Sequence, residues 1–116
     1  MDENLFKRRT KQLALRVIKT VETLPKNRTA DVVGRQLIRS GTSIGANYRA
    51  ACRGKSTADV IAKLRIVEEE ADESAYWTEL LIESGLVSEA PAVGVDAGTQ
   101  RDRRNDGSID KDSSET

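Results

Sequence analysis

The chain contains no histidine. That removes the commonest general base and the commonest transition-metal ligand in one step. It has a single cysteine, Cys52, so no internal disulfide can form. With no signal-peptide-like run at the N-terminus, this points to a reducing cytoplasm. Aromatics are scarce: Phe6, Tyr48, Tyr76 and Trp77 are all there are. A core must then be built from Leu, Ile, Val and Ala, as in a helical bundle. The two prolines, Pro25 and Pro91, interrupt no helical pattern. Nothing approaches the ~20 consecutive apolar residues of a membrane span. At 116 residues the chain makes one domain at most.

What is present is charge, unevenly spread under a net value of zero. Residues 1–55 hold thirteen Lys/Arg against four Asp/Glu, residues 56–86 two against eight, and the remainder four against seven. A basic half joined to an acidic half predicts electrostatic pairing of helices, within or between subunits. It also leaves a local basic surface that a neutral total conceals.

The stretch from Thr29 to Gly54 reads as one long helix. At 3.6 residues per turn, Val33, Leu37, Ile44, Tyr48 and Ala51 share one side. Arg35, Arg39, Arg49 and Arg53 share the opposite side, with Thr42 and Ala46 between them. Gly34, Gly41, Gly45 and Cys52 line one flank, and Gln36, Ser43 and Asn47 the other. Thr29 is the expected N-cap, with Asp31 in the first turn. Gly54 is expected to end the helix as a left-handed cap.

The order Arg39-Ser40, then Ser43-Ile44-Gly45-Ala46-Asn47, then Gly54-Lys55-Ser56, Asp59, and Glu73 twelve residues before Gly85 carries a resemblance. It resembles the four-helix-bundle proteins encoded in intervening sequences of bacterial 23S rRNA genes, over residues 5–87. The resemblance implies an up-down helical bundle assembling as a homopentamer. Relatives serve as accessory proteins of diversity-generating retroelements, where a basic surface contacts nucleic acid and reverse transcriptase.

Residues 4–24 read as a first helix with a stripe of Phe6, Leu13, Val17, Val21 and Leu24, ended by Pro25. Ser56 opens a third, with Asp59 placed for a capping box, and so short a turn makes helices two and three an antiparallel hairpin. The third helix runs from Thr57 to Glu83 with two apolar stripes. One is Val60, Leu64, Val67, Ala71, Ala75, Thr78 and Ile82. The other is Ala62, Ile66, Trp77 and Leu80, with Glu73 between the two. The second stripe must meet a fourth helix or another subunit. Glu73, among apolar neighbours, calls for a cationic partner, and Arg39 is the first choice. After Gly85 the pattern stops. The chain therefore divides into a helical bundle domain, residues 1–86, and a disordered polar tail, residues 87–116, which cannot supply the fourth helix that the resemblance implies.

Little of this is catalytic. Glu68, Glu69, Glu70, Asp72 and Glu73 lack the Glu-x-x-His partners of a di-metal bundle, so they read as a solvated acidic face. Ser40, Ser43 and Cys52 have no base at a useful spacing. The glycines follow no strand and form no phosphate loop. No catalytic, cofactor-binding or metal site is expected, and no small-molecule substrate.

The arginine row, Arg35, Arg39, Arg49 and Arg53 with Lys55 beyond, has two readings. It tracks an RNA or DNA phosphate backbone, or it is matched with acidic helices in a protein-interaction scaffold. No aromatic interleaves it, so binding would be poorly sequence-specific. Ser43, Asn47, Glu73 and Trp77 are expected at contacts between helices or subunits. A third reading is a truncated or frameshifted copy without function.

Overall fold

In the computed structural model, residues 2–88 are described, and they form three helices: α1 (Glu3–Glu22), α2 (Arg28–Cys52) and α3 (Thr57–Glu83). All three are antiparallel to their chain neighbours, and no strand occurs among the described residues. The expected fourth-helix position and residues 89–116 of the expected tail lie outside the described residues.

Each start is set by a side chain that accepts from the otherwise unpaired first amides. The Asp2 carboxylate accepts from Asn4 N at 2.9 Å, and the Asn27 amide oxygen from Ala30 N at 2.8 Å. Ser56 Oγ accepts from Asp59 N at 3.1 Å. Two expectations are corrected here. Thr29 is not the cap of α2, because Asn27 lies three residues before an amide it can reach and Thr29 is already inside the helix. Asp59 does turn back, but onto Lys55 N at 3.2 Å rather than onto Ser56.

The stops differ from one another. α1 ends at Glu22, with Thr23 as its C-cap, before Pro25 is reached. Gly54 is not left-handed; among the described residues only Gly85 has positive φ, 82°. Gly54 is required for a different reason. A Cβ there would lie 2.3 Å from Val60 Cγ2 and 3.1 Å from the Ala51 carbonyl oxygen, so the α2–α3 turn closes over it with no space for a methyl group. Gly85 is the left-handed stop. Its N–H donates to Ile82 O at 3.0 Å and Leu86 N–H donates to Leu81 O at 2.9 Å, the paired bonds of a Schellman motif. The turn folds Leu86 and Val87 back against the core, so the packed unit reaches past residue 86.

α2 is the middle helix. α1 and α3 both pack on it, and their backbones do not come close to each other. Val17, Leu37 and Leu81, one from each helix, form the buried cluster, ringed by Leu13, Val21, Leu24, Val33, Ile38 and Trp77. Burying each such side chain stabilises by about 1.5–3 kcal/mol. The glycine flank of α2 takes α1: Gly34 lies under Val21 and Leu24, Gly41 under Val17, and Gly45 under Thr10. The polar flank takes α3, where Ser74 Oγ donates to the fully buried Ser40 Oγ at 2.8 Å.

α3 departs from its expected burial. It meets α2 along Glu70, Ser74, Trp77 and Leu81, a line that shares only Trp77 with the second stripe and no residue with the first. Leu64, Ala71 and Ala75 of the first stripe are therefore exposed, and Leu81 is the only buried residue of the helix.

The crowding at Gly54 makes its replacement costly. Gly54→Ala should lower unfolding free energy by about 1–3 kcal/mol, the usual cost of overpacking, in urea denaturation followed by circular dichroism. Gly85→Ala, which has open space around it, should lose only the cost of a strained φ.

Candidate functional site

The arginines of α2 do not act as one row. Arg35 Nη2 sits 2.6 Å from Asp31 Oδ2, one turn earlier on the same helix. Arg39 crosses to α3. Its Nη2 lies 2.6 Å from Glu73 Oε2, and its Nη1 lies 3.3 Å from both carboxylate oxygens of Glu70. Arg49 and Arg53 are exposed and form no salt bridge among the described residues. The row thus splits into a neutralised N-terminal half and an open C-terminal half. Acids decide where the split falls: Asp31 and the Glu70/Glu73 pair all lie beside the first two arginines.

The open half has partners the sequence reading missed. Lys7, Thr10, Lys11 and Ala14 of α1 face Thr42, Gly45, Ala46 and Arg49 of α2 across a groove of about 310 Å³. Its floor is small side chains, and no carboxylate lines it. Thr10 Oγ1 donates to Phe6 O at 3.0 Å and Thr42 Oγ1 to Ile38 O at 2.7 Å, so both hydroxyls are turned onto their own helices. Lys7 is 3.0 Å from Glu3, whereas Lys11 forms no salt bridge among the described residues. Arg53 stands one turn beyond Arg49, and Lys55 follows with its side chain exposed. A signal for the α1 contribution existed: Lys7 and Lys11 sit one turn apart, on the helix that the glycine flank of α2 draws close.

The remaining predicted positions fall on the other side of α2. Glu73 accepts from Trp77 Nε1 at 3.2 Å as well as from Arg39. These two bonds, Arg39 first, hold its carboxylate below the ordinary glutamate range, and the same contact raises the Arg39 guanidinium. Ser43 and Asn47 bond within their own helix: Ser43 Oγ donates to Arg39 O at 2.6 Å and Asn47 Nδ2 to Ser43 O at 2.9 Å. The uncharged polar bond that crosses between helices is Ser40–Ser74, neither of them expected from sequence as a contact residue.

A second groove, about 370 Å³, opens between α1 and α3 with Ile44 at its base. Phe6, Leu13, Val67 and Ala71 supply apolar walls, and Arg9, Arg16 and Glu68 mark the rims. Phe6 also packs edge-on against Tyr48, with centroids 4.5 Å apart, and burial pushes the Tyr48 hydroxyl up in pKa. Among the described residues, no group of three or more His, Cys, Asp or Glu is arranged to hold a metal ion, and no helix is long and apolar enough to cross a membrane.

Comparison with known proteins places this geometry. Residues 3–101 match the family model described as 23S rRNA-intervening sequence protein. A crystal structure of a protein of unknown function from the S23 ribosomal protein family of Bacteroides thetaiotaomicron is similar, with 40% identity and a TM-score of 0.69. The similarity covers 75% of this chain and 78% of that one. No curated protein matches the chain.

The Arg39–Glu73 contact should show in the pH dependence of stability. A carboxylate that ionises more readily when folded stabilises above its unfolded pKa, about 4.3, and loses that contribution as pH falls through the folded value. Glu73→Gln should therefore be less stable than the wild type at pH 7. The two should converge as the medium is acidified below about pH 4 in parallel thermal melts.

Proposed function

Because the chain belongs to the 23S rRNA-intervening sequence protein family, which has no known catalytic activity, we propose that it acts by binding. Several copies assemble, and the basic α1–α2 groove holds the phosphate backbone of RNA or DNA. The supporting observation is the groove itself. Lys11 and Arg49 stand on opposite walls over Ala14, Gly45 and Ala46, with no acid lining it. Arg53 and Lys55 extend the positive strip beyond its end. Such a surface neutralises phosphates and displaces their counterions, the sequence-independent part of nucleic-acid affinity. Arg35 and Arg39 drop out of the binding set, because their guanidiniums are already committed to carboxylates.

Assembly is supported by the opposite side of the molecule. A three-helix layer leaves Leu64 42% exposed and the α1–α3 groove uncovered. Apolar surface of this kind marks a contact site. Five copies is the number that the family resemblance implies. One observation favours the scaffold reading instead: Arg39 shows that arginines of this chain do satisfy acids of α3, and the same match is available between copies.

Salt separates the two readings. With Lys11, Arg49, Arg53 and Lys55 each meeting one phosphate, log affinity for duplex DNA should fall with log salt at a slope of about −3.6. Arg49→Ala with Arg53→Ala should reduce that slope to about −1.8 and weaken all sequences alike, while Arg35→Ala leaves it unchanged. Fluorescence anisotropy measures both. Failure to bind at low salt by an intact oligomer would leave the scaffold. Light scattering should return a multiple of the chain mass, and a stable monomer would end the assembly reading.

A further inference from the structure

We infer that the ligand of the α1–α2 groove is a double-stranded nucleic acid rather than a single strand. The inference deepens the backbone-binding reading and rests on it.

Single strands are held by two devices together: cations along the backbone and aromatic rings on which unstacked bases lie. The groove has the first and lacks the second. All four aromatics of the chain are placed elsewhere. Phe6 and Tyr48 pack on one another, and Phe6 lines the opposite groove. Tyr76 and Trp77 pair on α3, where Trp77 donates to Glu73.

Base edges fare no better. No Asn, Gln, Asp or Glu lines the groove, and its two threonine hydroxyls are donating to their own helices. What remains are cations on rigid helices at fixed separations. Lys11 on α1 faces Arg49 on α2, Arg53 is one turn beyond Arg49, and Lys55 follows; Lys7 is paired with Glu3. A set of point charges without stacking platforms gains most from phosphates that are dense and already ordered. A duplex offers both. A flexible strand has lower charge density and must also be ordered on binding.

The salt dependence gives a quantitative form. Counterion release per phosphate is about 0.9 for duplex DNA and about 0.7 for a single strand. Over four contacts the two slopes differ by about 0.8, so the duplex preference should widen about sixfold for each tenfold dilution of salt.

The test uses the full chain with labelled 20-mers of one unstructured sequence as DNA duplex, RNA duplex and each single strand, titrated at several salt concentrations. Tighter duplex binding, a preference that widens on dilution, and Trp77 emission unchanged by single strands are expected. The two duplex arms then tell whether DNA, RNA or both is accepted. Equal or tighter binding of single strands, or a preference that stays flat with salt, overturns the inference and leaves backbone binding standing. Absence of binding in all arms removes both.

Discussion

Close approach between α1 and α2 is the constraint from which the rest follows. Gly41 lies beneath Val17 with its missing methyl direction blocked at 2.9 Å, and Gly34 and Gly45 meet α1 in the same way. A side chain at any of these would hold the helices apart. Because they are absent, Val17 reaches the buried cluster with Leu37 and Leu81. The lysines of α1 also arrive beside the arginines of α2. Packing and charge are thus set by one strip of small residues.

The opposite flank of α2 works by polar chemistry. Ser40 and Ser74 bond across the interface, with Ser40 fully buried, and Arg39 reaches outward from the same interface to Glu70 and Glu73. The Arg39 side chain remains 47% exposed, so its ion pairs are screened and modest in energy. They do more for alignment, because a fork bridging two carboxylates one turn apart favours one register of α3 on α2. They also empty the N-terminal half of the basic row, which is why the open charge gathers at one end of the slab.

Much of the fold was legible because its signals are local. Gly54, Ser56 and Gly85 bracket α3, and its predicted span, Thr57–Glu83, is the observed one. Arg39 could be matched with Glu73 because that carboxylate stood alone at the edge of an apolar stripe facing a basic helix. Glu70 was lost among its acidic neighbours, where nothing local marks the residue that turns inward. The start of α2 was misplaced because Asn27 and Thr29 are both good caps and periodicity cannot choose between them. Two features were beyond reach in principle. Which stripe of α3 meets α2 depends on rotation about the helix axis, and the contact took the line of Ser74, Trp77 and Leu81, which only grazes the second stripe. The basic groove depends on which helix occupies the glycine flank, a question of tertiary packing that a single-helix projection does not pose.

The order of the helices has a kinetic consequence. Among the described residues, every close backbone contact between helices joins neighbours along the chain, α1 with α2 and α2 with α3, across turns of only a few residues. Closing such short loops costs little entropy, and topologies of this kind reach their native state in roughly microseconds to milliseconds. Each hairpin can form as soon as its second helix leaves the ribosome, without waiting for a distant segment. Val17 and Leu37 still wait for Leu81, near the end of α3, so the α1–α2 hairpin keeps its apolar face open until the last helix docks.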